Sequence, residues 1–222
     1  MNNKLNHISF IMDGNNRWSK KNVKTRYYSY NKGAQRLVKI ADHIFNNYNI
    51  NYISAFALSK NNLNRPHKIL DNIINVLDEI LDSSYLHNNN YQISFIGDLN
   101  FLSKKIKKKI DRIQKMNLSS KKKLIIFFNY GGQEEIIEMA KKVSLLKKIT
   151  KKGCMKNLQS NGIPFPDILI RTGGYQRLSN FMLFQTAFTE LFFLKKLWPD
   201  IRKYDVDKII SQYFEIERKF GN

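Results

Sequence analysis

The run Leu124-Ile125-Ile126-Phe127-Phe128 is apolar at every position. A strand with water on one side alternates apolar and polar residues, so an unbroken run of this kind fits a central strand covered on both faces, as in a parallel sheet between two layers of helix. The rest of the chain has the matching rhythm. Further strand-like runs fall at 8–12, 52–58, 93–96, 168–170 and 190–194. Between them lie helical stretches at 32–47, 101–116, 134–147 and 206–220, and a stripe of Ile69, Leu70, Ile73, Ile74, Leu77, Ile80 and Leu81 with amphipathic spacing. Strand and helix alternate throughout, which predicts an α/β fold, one domain over residues 1–222 with a mostly parallel central sheet flanked by helices.

A chain of 222 residues is long enough to bury a core and a pocket without covalent cross-links. Cys154 is the only cysteine, which excludes a disulfide framework and favours a cytoplasmic setting. Residues 1–7 lack the apolar region of a signal peptide, and no run approaches the roughly 20 apolar residues of a membrane span. The expectation is a soluble chain with at most peripheral membrane contact. A formal net charge of +20 would attract nucleic acid, anionic lipid or phosphorylated substrates. The lysines are scattered, however, and they accompany abundant Asn and Ile, a mix that A+T-rich codon usage also produces. A solvated lysine face is the plainer explanation, and with no zinc-finger spacing and no RRM-type aromatic signature, no nucleic-acid partner is expected.

Polar segments rich in Gly, Asn and Arg follow the strand-like runs. In an alternating β/α chain the carboxyl ends of the strands share one edge, so these segments can build one site. Asp13-Gly14-Asn15-Asn16-Arg17-Trp18 joins a carboxylate to a turn whose backbone N–H groups can hold an anion. An isolated Asp-Gly is more often a helix cap or turn, but a cap needs neither Arg17 nor Trp18. Arg171-Thr172-Gly173-Gly174, continuing through Arg177 and Ser179 to Phe181, offers guanidinium groups and a hydroxyl around a glycine pair, a donor set for diphosphate. Neither segment is a Walker loop or a dinucleotide fingerprint. The third, Ser59 to Pro66, follows the second strand and reads locally as an ordinary polar turn.

Taken in order, Met12 to Trp18, Ser59 to Pro66, Gly97-Asp98, Asn129-Tyr130-Gly131-Gly132, Arg171 to Phe181, Glu190-Leu191 and Trp198-Pro199 resemble the motifs of the cis-prenyltransferases, over about 7–221. The resemblance implies a magnesium-dependent enzyme that extends farnesyl diphosphate with isopentenyl diphosphate to a long polyprenyl diphosphate, the undecaprenyl precursor of the cell-wall lipid carrier. It also implies a homodimer, cytoplasmic and peripheral at the inner face of the membrane. By the same resemblance Asp13 is the catalytic, metal-binding carboxylate, and Glu190 a second magnesium ligand. Gly14, Asn15, Asn16, Arg17, Trp18 and Arg26 would hold the allylic substrate. Arg171, Arg177 and Ser179 would hold isopentenyl diphosphate, and Asn62 would assist proton removal, with Ser59 and Arg65 beside it.

The chemistry agrees with these roles, because diphosphate departure builds negative charge that Mg²⁺ and arginine stabilise. A growing chain gains about 0.8 kcal/mol per buried CH₂, which calls for an apolar tunnel; the stripe from Ile69 to Leu81 could line it or simply pack the core. Several residues depart from the family pattern: Asn16 for a glycine, Tyr30 for a histidine, Asn61 and Leu63 for a glutamate and a tryptophan, Tyr175-Gln176 for Glu-His, and Gln133 and Lys219 for arginines. They motivate an alternative in which the chain is a weakly active or silent partner subunit of a prenyltransferase complex.

Overall fold

The computed structural model describes residues 4–64, 67–87 and 89–217. Strands β1 (His7–Ile11), β2 (Tyr52–Ser59), β3 (Gln92–Ile96), β4 (Lys123–Tyr130), β5 (Ile168–Arg171) and β6 (Glu190–Phe193) form one sheet in the order β3-β4-β2-β1-β5-β6. Every neighbouring pair is parallel. The two-faced apolar run behaves as its composition requires. Leu124, Ile126 and Phe128 enter the main core with Ile8, Phe10 and Ile53, whereas Ile125 and Phe127 enter a second core with Leu169, Phe181 and Met182. Pleating sends successive side chains to opposite faces, so only a strand apolar throughout can serve both.

The helices are α1 (Asn15–Lys21), α2 (Arg26–Asn47), α3 (His67–Asp82), α4 (Ser84–His87), α5 (Lys104–Gln114), α6 (Gly132–Val143), α7 (Lys151–Lys156) and α8 (Lys203–Glu215). In α5, Ile106, Ile110 and Ile113 are buried while Lys104, Lys105 and Lys108 remain exposed. That is the solvated lysine face expected from composition. The Ser103 hydroxyl caps α5 by accepting from the Ile106 N–H at 3.3 Å. None of the described helices is long and apolar enough to cross a membrane.

Several boundaries differ from those expected, α5 and α8 among them, and three others have a visible cause. Residues after β1 form α1 rather than a loop, because a short helix built from Asn, Arg, Lys and Ser has no apolar period to betray it. Helix α2 begins at Arg26, six residues before the apolar pattern starts, where the Thr25 hydroxyl accepts from the Tyr28 N–H. Helix α6 ends at Val143, the last of its buried residues.

The strand order places the site. Strands β1 to β4 lie on one side and β5 and β6 on the other, so the chain switches direction between β1 and β5. A crevice outside the carboxyl ends of the strands at such a point is the usual ligand site of an open α/β sheet. The register Ile11↔Arg171 sets the segment after β1 beside the segment after β5.

Candidate active site

Asp13 is anchored by its backbone and gripped by its side chain. Its carbonyl accepts from the Thr172 hydroxyl at 2.8 Å and from the Trp198 N–H at 3.0 Å. Its carboxylate meets Arg17 Nη2 at 3.1 Å through Oδ1 and Arg171 Nη2 at 2.9 Å through Oδ2. Arg17 Nη1 donates to the Gly173 carbonyl at 2.7 Å, and Arg171 Nη1 to the Ser179 hydroxyl at 2.6 Å and to the Arg177 carbonyl. Two glycines make this closeness possible. Gly14 has φ 115°, and a Cβ there would lie 2.8 Å from Leu197 Cδ2; Gly173 has φ 87°, and its Cβ would press on Arg17 and lie 3.1 Å from Asp13 Cγ.

These groups line a cavity of about 820 Å³ together with Gly14, Asn15, Asn16, Tyr30, Ser59, Asn61 and Asn62. Ile11, Met12, Phe56, Ala57, Ile69 and Ile73 form its apolar flank. The stripe on α3 therefore divides: its first turns face the cavity, and Val76, Leu77 and Leu81 are buried further along. Three arginines and one aspartate line the wall, a net positive surface suited to a diphosphate.

Most of the expected residues come together here, and a few do not. Trp18 turns away from the wall: it is buried, donates from Nε1 to Asp200 Oδ1 at 2.7 Å and stacks on Tyr28. It does not line the cavity, and its apolar ring and N–H both find partners inside the fold. Arg26 stands behind the wall, with Nε donating to Asn16 Oδ1 at 2.9 Å. Asn16 lies within α1 and has no positive φ, so asparagine in place of glycine costs no backbone strain here and supplies an anchor for Arg26. Ser59 ends β2, and Asn62 lies in the 3₁₀ turn Lys60–Asn64. Arg65 and Lys219 fall outside the described residues.

Glu190 is remote from Asp13 within the chain. It opens β6 opposite Ile168, whereas Asp13 lies beyond the far end of β1, whose Ile11 pairs with Arg171. Five residue steps of about 3.3 Å along the strand direction separate their levels. A metal ligated by both carboxylates of one chain does not fit this arrangement. Among the described residues no three His, Cys, Asp or Glu side chains gather as a metal site, and Asp13 is the one acidic residue lining the cavity. That donor set does suit Mg²⁺, which is commonly held by one or two carboxylates together with substrate phosphates and water.

The remaining motifs brace the site, and of their residues Asn180 also lines the cavity. At Gly97, φ 125°, the chain passes so close to the Phe128 carbonyl that a Cβ has no room, and Asn129 Nδ2 donates to the Asp98 carbonyl at 2.7 Å, tying β3 to β4. Trp198 donates from Nε1 to the Gly33 carbonyl at 2.8 Å and packs on Phe10. Tyr130 donates to Glu135 Oε2 at 2.6 Å, and burial pushes its phenol pKa far up, with the Glu135 charge adding to the shift. Asn180 receives the Gln133 N–H at 2.8 Å and donates to Glu134 Oε2 at 3.0 Å, fixing the end of the arginine segment to α6. Sequence reasoning missed Glu135, whose one local clue is its place in the first turn of a helix that follows a buried strand.

Fold and site together define a class: an α/β protein with a diphosphate-suited, arginine-lined cavity at the sheet's switch point and an apolar flank beside it. The family model described as putative undecaprenyl diphosphate synthase matches residues 11–221, and the chain belongs to this family of cis-prenyltransferases. It is 36% identical over 224 residues to an isoprenyl transferase of Thermotoga maritima, covering 97% of this chain and 96% of the relative. It is 35% identical over 226 residues to a tritrans,polycis-undecaprenyl-diphosphate synthase (geranylgeranyl-diphosphate specific) of Pyrobaculum aerophilum, covering 97% and 95%. Among solved structures, lavandulyl diphosphate synthase from Lavandula x intermedia, in complex with dimethylallyl diphosphate, superposes with a TM-score of 0.92 at 30% identity over 98% of both chains.

Proposed function

We propose that this chain extends farnesyl diphosphate by successive cis condensations with isopentenyl diphosphate, giving a long polyprenyl diphosphate of the undecaprenyl class. The observation that carries the proposal is the Asp13 carboxylate spanned by Arg17 and Arg171 at a cavity with an apolar flank. The allylic diphosphate is held by Arg17 and the backbone from Gly14 to Asn16, with Arg26 steadying Asn16 from behind. Isopentenyl diphosphate is held by Arg171, Arg177 and Ser179. In the condensation a carbon–oxygen bond of the allylic substrate breaks, a carbon–carbon bond to the condensing unit forms, and that unit loses a proton. The arginines stabilise the negative charge that grows on the departing diphosphate. Asn62 orients the proton, and because a neutral amide is a poor base, the diphosphate is its acceptor. Asp13 would hold magnesium where it is bound, and the ion would supply further charge neutralisation.

Two expectations about assembly accompany this reading. Strand β6 lies at the edge of the sheet with Leu191 exposed, which supports a homodimer formed at that edge. Exposed Leu145, Leu146 and Ile149 lie among Lys142, Lys147, Lys148, Lys151 and Lys152, which supports peripheral contact with an anionic membrane.

The test is incubation of the purified chain with farnesyl and isopentenyl diphosphates and magnesium, with the product sized by chromatography. Long-chain product from the chain alone is expected, and it would exclude a silent partner subunit. A second starter, geranylgeranyl diphosphate, is suggested by the name of the Pyrobaculum relative and belongs in a parallel reaction. Preference for it would replace farnesyl diphosphate in the account.

A further inference from the structure

Tyr175 lies at the centre of the cavity's cations. The Cζ atoms of Arg177, Arg17 and Arg171 are 4.4, 4.8 and 5.7 Å from its ring centroid. A guanidinium within about 6 Å of an aromatic centroid is attracted by the ring's quadrupole. Three of them around one ring are brought from separate parts of the chain, α1, the end of β5 and the segment beyond it. Gly173 and Gly174, with φ 87° and 83°, turn the backbone immediately before the ring.

The charges explain why such a ring is needed. The three guanidinium groups repel one another, and among the described residues Asp13 is the only carboxylate on the wall. It pairs with Arg17 and Arg171, whereas Arg177 forms no ion pair with a described residue. Arg171 reaches the Arg177 backbone carbonyl, and the face of Tyr175 meets the Arg177 guanidinium itself. At 46% exposure Tyr175 adds little to the core, so its place here follows from the arginines rather than from burial. A neutral ring attracts guanidinium groups through its face without adding a further anion to compete with the substrate's phosphates.

We propose that Tyr175 is a positioning residue that gathers Arg17, Arg171 and Arg177 on its ring and so sets the chain's affinity for diphosphate. This rests on the prenyltransferase reading for its substrate, but the arrangement itself is tested without turnover. Binding of inorganic pyrophosphate to the full chain is measured by calorimetry for wild type, Tyr175→Phe and Tyr175→Leu. The Phe variant keeps the aromatic face and should bind within about twofold of wild type, and the Leu variant should bind about tenfold more weakly. In turnover the Leu variant should raise KM for isopentenyl diphosphate about tenfold with kcat nearly unchanged. In an Arg177→Ala background, Tyr175→Leu should cost much less, which a purely structural role would not produce. Equal pyrophosphate affinity in the Phe and Leu variants overturns the proposal, whether both match wild type or both fall. If the wild-type chain binds pyrophosphate in this pattern yet forms no prenyl product, the functional reading fails and the positioning role stands.

Discussion

Asp13 and Glu135 are both carboxylates held by several donors, and they differ in what those donors are. Glu135 is 1% exposed, and its oxygens receive the Ser160 N–H at 3.2 Å, the Tyr130 hydroxyl at 2.6 Å and Gln185 Nε2 at 2.7 Å. All three donors are neutral and fixed inside the fold, so this charge is satisfied permanently. Asp13 borders an open cavity, and its partners are two guanidinium groups, one of them on the 42% exposed Arg17. Cations at an open wall can exchange a carboxylate for a phosphate; buried neutral donors have nothing to exchange with. The first arrangement builds structure, and the second leaves capacity for a ligand.

Substitution at Glu135 should break the structural side of this comparison most strongly. Glu135→Leu leaves three buried donors without an acceptor and should cost about 3 kcal/mol or more in denaturant unfolding, with turnover per folded molecule retained. Loss of turnover at unchanged stability would place Glu135 on the chemical side instead.

His7 offers a comparable effect through pH. Its Nδ1 donates to the Pro164 carbonyl at 2.6 Å, which leaves Nε2 to accept from the Ser54 hydroxyl at 2.7 Å. Burial lowers its pKa to about 4, outweighing the carbonyl's upward pull. The folded state thus keeps His7 neutral while the unfolded chain protonates near pH 6.5. Its contribution is complete above that pH and is lost as pH falls toward 4, by about 3 kcal/mol in all. Unfolding free energies measured across this window should show the slope, and His7→Gln should flatten it.

The smallest effect sharpens the chemical side. Asn16→Ala frees Arg26 without touching the core and should raise KM for the allylic diphosphate about threefold, a loss near one part-buried hydrogen bond, with the unfolding midpoint unchanged.

What the sequence disclosed follows the same division. Strands were legible because they are apolar, and the cavity wall because glycine beside arginine after a strand has few structural uses. Asp13, Arg17, Asn62, Arg171, Arg177 and Ser179 all line the cavity as their motifs suggested. Trp18 lies off the cavity wall, since proximity along the chain does not fix which way an indole turns. Glu190 belongs to a motif that opens a strand rather than closing one, and that puts it at the opposite end of the sheet. Glu135 was illegible because Glu134 stands beside it, and only the packing of α6 decides which of the two is buried. The clustering of three arginines on Tyr175 joins segments that only the fold brings together.

Asp13→Asn keeps the side chain's shape and its acceptor oxygen while removing the charge. The variant should be measured alongside wild type for unfolding free energy and for magnesium-dependent incorporation of labelled isopentenyl diphosphate. Stability within about 1 kcal/mol of wild type and turnover lower by about 10³-fold are the predicted results. Unchanged turnover would contradict the assignment of Asp13 as the chemical carboxylate.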